Sequence, residues 1–143
     1  MDYHASFQIS AAGMATEKLR LDVTTLNLAN MHAAGTSADQ VYRPQRVVTQ
    51  AIGAGFGAQF GRLYGAAGAP RAVVVAQDAA PRMVREPGHP YADAKGMVAY
   101  PGVDHITEMV TLNTALRAYE ANVAAMNAAR AMAVRALEIG GQG

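Results

Sequence analysis

At both ends of this chain, apolar residues recur at alternating spacings of three and four. From the N-terminus Ile9, Ala12, Thr16, Leu19, Val23, Leu26 and Asn30 form one stripe, which Leu21 and Leu28 widen. Towards the C-terminus the same rhythm runs through Met109, Leu112, Leu116, Tyr119, Val123, Met126, Arg130, Ala133 and Leu137. A repeat averaging about 3.5 residues returns successive positions to one helix face, the pattern of a heptad seam. It predicts helices over 5–31 and 104–139. Punctuation supports both: Gly35 is a candidate stop, Pro101-Gly102 before Asp104 offers a turn and an N-cap, and Gly140-Gly141 offers a C-terminal stop. Gly13 is the one flaw inside the first helix, costing up to about 1 kcal/mol relative to Ala where exposed.

The middle is different in kind. All six Pro lie between Pro44 and Pro101, and nine of the fourteen Gly lie between Gly53 and Gly102. Within it Val41–Gln50 and Ala72–Gln77 carry β-branched residues, and Met97–Tyr100 follows the turn-like Asp93-Ala94-Lys95-Gly96, so each predicts a strand. Residues 53–68 hold six Gly, with Phe56, Phe60 and Tyr64 at four-residue spacing. That segment reads either as a loop that orders on a partner or as a solvated one. The expected fold class is α+β: long N- and C-terminal helices pairing as an α-helical, coiled-coil-like domain (1–35 with 104–143), and a small β-rich middle domain (36–103). Helices of roughly 40 and 50 Å at 1.5 Å per residue fit poorly inside a ball of radius of gyration near ~14–15 Å. A helical hairpin standing off the middle domain resolves this, although periodicity alone fits the core of a helical bundle equally well.

Composition sharpens the reading. The 143 residues are 51% apolar, yet 31 are Ala, Phe occurs three times and Trp is absent. At about 25 cal/mol per Å², small side chains contribute little each, so such helices must pack closely and against many neighbours. The formal charge of +1 argues against a strongly cationic nucleic-acid binder and an acidic tail, although residues 40–90 carry six Arg against Asp78 and Glu86. Without Cys there is no disulfide framework and no thiolate chemistry. Met1–Ser10 lacks the features of a secretory signal, and no apolar run approaches a membrane span, so no direct membrane insertion is expected.

Signatures of catalysis are missing in the same way. Gly53-Ala54-Gly55-Phe56-Gly57 lacks the third glycine of a dinucleotide fingerprint at the right offset, and no P-loop Lys-Ser/Thr follows it. His4, His32, His89 and His105 include no i, i+4 pair for zinc, and Ser6, Ser10 and Ser37 sit in no nucleophile elbow. Asp104, His105 and Glu108 cluster, but acids at a helix start favour the positive end of its dipole. No catalytic, cofactor-binding or metal-ligating residues are therefore expected. A small enzyme would instead be betrayed by a middle-domain pocket enclosing two or more titratable groups. A nucleic-acid binder would show steep salt dependence through the Arg of 40–90.

All five Asn (Asn27, Asn30, Asn113, Asn122, Asn127) lie in the two helical segments. An Asn on an apolar seam penalises wrong registers because its amide needs a partner opposite; on another face it simply meets solvent. The expected assembly interface comprises Ile9, Leu19, Val23, Leu26, Asn27, Asn30, Met109, Leu112, Leu116, Tyr119, Asn122, Val123, Met126, Asn127 and Leu137.

Asn27-Leu28-Ala29-Asn30 followed by Tyr42-Arg43-Pro44 resembles the amino-terminal signature of bacterial flagellar axial proteins. Glu86-Pro87-Gly88-His89-Pro90-Tyr91-Ala92-Asp93-Ala94-Lys95-Gly96 resembles the flagellar basal-body rod family, as do Pro101-Gly102-Val103-Asp104, Glu108-Met109 and Arg117-Ala118-Tyr119-Glu120-Ala121-Asn122-Val123. His89 stands where that family more usually has Asn, and residues 53–80 fall outside the likeness. The resemblance implies a proximal-rod subunit in the periplasm, its terminal helices lining the rod axis and its middle forming an outer β domain. It also implies export through the flagellar type III apparatus. The implied partners are other copies, neighbouring rod proteins and the rod base at the inner-membrane ring, and the implied job is carrying torque. Another rod or rod-adaptor subunit is the alternative within the family.

Overall fold

The structure, a computed structural model, describes residues 3–50 and 71–141. The Gly-rich segment 53–68, with Phe56, Phe60 and Tyr64, lies outside the described residues. Helix α1 runs Tyr3–Asn30, a 3-10 turn covers Ala38–Gln40, and four strands follow: β1 Gln45–Gln50, β2 Arg71–Ala76, β3 Arg82–Arg85 and β4 Met97–Tyr100. Helix α2, His105–Gly140, closes the order. The class is α+β, with two long helices flanking a small β region, and both helix ends fall within a few residues of the seam's limits.

The N-cap forms as the residues suggest. The Asp104 carboxylate accepts the N–H groups of Ile106 (3.4 Å) and Thr107 (3.2 Å) and the Thr107 hydroxyl. At the other end the Gly141 N–H donates to the Leu137 carbonyl at 2.9 Å. Gly35 is not the stop of α1: the helix ends at Asn30, and Gly35 instead bridges to Ala99 of β4, donating to its carbonyl at 3.0 Å. Helix geometry is lost earlier because Met31 and Ala33 turn back onto the Leu28 and Asn30 carbonyls.

The strands form two two-stranded sheets, β1–β2 and β3–β4. β1 starts at Gln45 rather than Val41, after Pro44, which has no N–H to give a ladder and whose carbonyl takes the Gln77 N–H at 2.7 Å. β3 was not foreseen: Arg82-Met83-Val84-Arg85 has one β-branched residue and sits between prolines. It forms because β4 supplies an antiparallel partner, pairing Arg82 with Tyr100 and Arg85 with Met97. The loop joining them is knit by its own groups. The Asp93 carboxylate accepts the N–H groups of Lys95 and Met97, each at 2.8 Å, and Gly96 takes φ +71°, which a side chain would disfavour. Those donors hold the Asp93 carboxyl below its ordinary pKa.

The described chain divides into two compact units. The β-bearing unit takes Arg20–Val48 and Val74–Asn113. Its core is Val23, Val41, Val47, Val98, Ala99 and Pro101. The helical unit takes α1 up to Leu19 and α2 from Thr114, together with Thr49–Gln50 at the end of β1 and Arg71–Val73 at the start of β2. Its buried residues are Ser10, Thr16, Ala115 and Ala129.

Candidate functional site

Within the β-bearing unit, three separated stretches of sequence meet at Asn27. Its Oδ1 accepts the Gln45 N–H at 2.9 Å and the Tyr42 hydroxyl at 2.8 Å. Its Nδ2 donates to the Gln45 carbonyl at 2.8 Å and to Glu108 Oε2 at 3.3 Å. An amide has two donors and two acceptor lone pairs, and all four are engaged here. The side chain bonds Gln45 as a neighbouring strand would, which fastens α1 to the start of β1, while Glu108 brings in the first turn of α2. Only 1% of Asn27 is exposed. Burial pushes the Tyr42 phenol above its ordinary pKa, and the Glu108 carboxylate adds to that rise.

In the helical unit the meeting point is Gly13 with Asn122. A Cβ at Gly13 would lie 2.6 Å from Asn122 Oδ1 and 2.9 Å from its Cγ, so the absent side chain is what lets Asn122 in. Ser10, Gly13 and Thr16 lie on one side of α1, and Ala115, Asn122 and Ala129, at spacings of seven, lie on one side of α2. The Asn122 Nδ2 donates to its own helix at the Ala118 carbonyl, 2.9 Å away. Asn30 and Asn113 do the same towards Leu26 (2.8 Å) and Met109 (3.0 Å).

The largest apolar side chains are therefore not the most buried ones. At 100° per residue Leu112, Leu116 and Val123 centre roughly 90° around α2 from Ala115 and Asn122. On α1, Leu19 and Leu26 lie roughly 110° from the Gly13 and Asn27 side, while the seam positions Thr16 and Val23 are buried. Of the expected interface, Val23 and Asn27 are buried. Leu19, Asn30, Leu112, Tyr119, Asn122, Val123 and Met126 are half-buried, and Ile9, Leu26, Met109, Leu116, Asn127 and Leu137 are exposed. Further large residues stand outward on α2, among them Ile106, Val110, Met132, Val134 and Ile139, the last 80% exposed. Sequence reasoning missed Tyr42, Gln45 and Glu108 as partners of Asn27, and the small-residue face of α2. The repeat Ala115, Asn122, Ala129 was a readable signal for that face.

Among the described residues, two clefts open on the β-bearing unit. One, about 180 Å³, is lined by Arg20, Val23, Gln45, Arg46, Val47 and Glu108, with Thr24 and Thr111. The other, about 130 Å³, gathers Asp39, Tyr42, Arg43 and Asp78. Both are smaller than the roughly 300–1,000 Å³ of sites that enclose small molecules, and the Tyr42 hydroxyl is already committed to Asn27. Among the described residues no three His, Asp or Glu gather where a metal could be held, and no helix is long and apolar enough to cross a membrane.

Comparison with known proteins agrees with the sequence motifs. Residues 94–139 match the family model described as flagellar basal body rod FlgEFG protein C-terminal. The chain is 37% identical to the flagellar basal-body rod protein FlgC of Escherichia coli O6:H1, covering 94% of this chain and 95% of that one. It is 38% identical to FlgC of Bacillus subtilis over 94% and 96% of the two chains, and 29% identical to FlgC of Borreliella burgdorferi over 97% and 98%.

Proposed function

The chain belongs to the FlgC family of flagellar basal-body rod proteins, and from that premise we propose how its surface serves assembly. It is a structural subunit of the basal-body rod and assembles with other rod components for motility. The finer reading is a place in the proximal rod, crossing the periplasm, with other copies of itself, neighbouring rod proteins and the rod base at the inner-membrane ring as contacts. Arrival through the flagellar type III export apparatus belongs to the same reading. The segments 1–35 and 104–143 form the axial domain, and 36–103 form the outer one.

Small and polar side chains close the helical unit, leaving large apolar side chains such as Ile9, Leu116, Met132, Val134, Leu137 and Ile139 outward, and that exposure supports the interface. Side chains such as Leu116 and Leu137 each gain about 1.5–3 kcal/mol on full burial, and only neighbouring subunits can supply it. Within its own unit, Asn122 packed on Gly13 fixes the helical face beside this surface, as Asn27 and its partners fix the β-bearing unit.

Leu116→Asp tests the reading, since Leu116 is 46% exposed and the substitution leaves the Asn27 cluster untouched. We expect an exported, folded β-bearing unit, no incorporation into basal bodies and loss of swimming. Normal motility with L116D in the rod would overturn it.

A further inference from the structure

We propose that the outer edge of β3 docks an extended, acidic segment of a neighbouring basal-body component, an inference that rests on the reading of the chain as a rod subunit. The phase of the β3–β4 pair decides which backbone groups lie on that edge. Glu86, just past β3, donates its N–H to the Gly96 carbonyl at 2.8 Å. Residues 86 and 96 thus form a hydrogen-bonded pair, and alternation makes Val84–Val98 and Arg82–Tyr100 the next two. The pairs between them, Met83–Ala99 and Arg85–Met97, turn their backbone groups away from each other. On β4 those groups are seen in use: the Ala99 carbonyl takes the Gly35 N–H at 3.0 Å, and the Met97 carbonyl takes the Asp93 N–H at 2.8 Å. On β3 the N–H and C=O of Met83 and Arg85 face outward, and among the described residues no strand lies beside them.

Such a row of outward groups is what an added strand pairs with. Pro81 and Pro87 bracket it and have no N–H, so the window that can receive a strand is confined to Met83 and Arg85. Met83 and Arg85 are exposed on one face of β3, and Arg82, also exposed, stands on the other with its guanidinium 5.5 Å over the Tyr100 ring. The adjacent acid, Glu86, is taken by the Tyr100 hydroxyl at 3.0 Å. The edge is therefore basic on both faces. Opposite charges across a strand pair attract and like charges repel, so the fitting occupant carries Asp or Glu opposite these arginines. A second copy does not fit. Its β1, β2 and β4 carry no acid, and β3 against β3 would relate the copies by a two-fold axis, which closes a dimer instead of extending a rod.

Amide exchange in isolated basal bodies, quenched by dissolving them and compared with the free chain, tests this. Val84, whose N–H faces β4, should be protected in both. Met83 and Arg85 should exchange freely in the free chain and about tenfold or more slowly in the rod, since each gains a backbone bond there. Equal exchange of those amides in rod and free chain would overturn the proposal. So would their slowing in the free chain as its concentration rises, which would make the occupant a second copy. Two variants give an independent readout: M83P removes an outward donor and no bond to β4, and R85E reverses the edge charge without touching the backbone. Each should lower incorporation into basal bodies about three- to tenfold, with R85K near native and the Met97–Tyr100 resonances of each free chain unchanged. Normal incorporation of M83P and R85E while L116D is excluded would overturn the docking edge and leave the rod reading standing. Normal incorporation of all three would overturn both.

Discussion

The β-bearing unit closes on branched side chains and a saturated amide; the helical unit closes on glycine, alanine and hydroxyls. In the first, Val98 has no exposed surface, Val23, Val41 and Val47 are buried with it, and Asn27 meets four partners. In the second, Ala115, Ala129, Ser10 and Thr16 are the buried residues, and Asn122 rests on a bare glycine. A buried Ala methyl is worth about 0.8 kcal/mol, whereas ordering each residue's backbone costs about 1–2 kcal/mol, so faces of this kind cannot carry long helices alone. Burying a Val gives about 1.5–3 kcal/mol, and a fully paired polar cluster fixes which register the valines adopt. One region is thus stable by its own contents. The other is shaped by its own contents and, on the proposed assembly, gains its stability from what covers its outer stripes.

The largest expected blow to this contrast is Asn27→Asp. The carboxylate keeps the acceptors for Gln45 and Tyr42 but loses both donors and faces the Glu108 carboxylate in a buried site. We expect about 3–5 kcal/mol of destabilisation, confined to the β-bearing unit. Amide exchange on the dilute native chain reads both units at once. Val47 and Val98 should be protected well above the residues of α2 beyond Thr114, and N27D should erase that difference. Equal protection of both units in the native chain would remove the contrast itself.

Much of this architecture was legible. The seams at the two ends predicted both helices, and the Pro-Gly-x-Asp run marked the start of α2. The strand at Met97–Tyr100 followed from its turn. What escaped was set by contacts distant in sequence. β3 has little strand character of its own and exists because β4 lies beside it. Asn27, Tyr42 and Glu108 were each visible in family-like motifs, but nothing local said that 81 positions of chain would close to put an amide on a carboxylate. The seam gave less about depth. Within the helical unit the buried positions are Ser10, Thr16, Ala115 and Ala129, of which only Thr16 lies on a seam. A heptad of large residues identifies a surface that must be buried, without saying whether the same chain buries it.

Gly13 offers a finer probe of the helical unit. Alanine there should gain up to about 1 kcal/mol of helix propensity, but its Cβ must displace the Asn122 side chain, which would give up its bond to Ala118. We expect G13A alone to gain nothing or to lose stability. In an N122A background the same substitution should be favourable. The coupling between the two positions should be about 1–2 kcal/mol by a double-mutant cycle on thermal unfolding of the helical unit. Additive effects would mean that Gly13 is not where Asn122 packs.

The smallest effect concerns acid. Hydrogen bonds from the Thr107 hydroxyl and backbone, then from the Ile106 N–H, hold the Asp104 carboxyl below its ordinary pKa. A carboxyl depressed by folding contributes stability above its unfolded pKa of about 3.9, and loses that contribution as pH falls through the folded value. The start of α2 belongs to the β-bearing unit, whereas the first turn of α1 holds no acid. Below about pH 4 the more stable unit should therefore weaken first, narrowing the gap between the two. Asp104→Asn keeps a capping oxygen but cannot titrate, so the difference between native chain and D104N should be near constant above pH 5 and shrink towards zero or reverse below pH 4. Parallel stability curves for the two proteins down to pH 2 would show that the cap contributes no pH dependence to that unit.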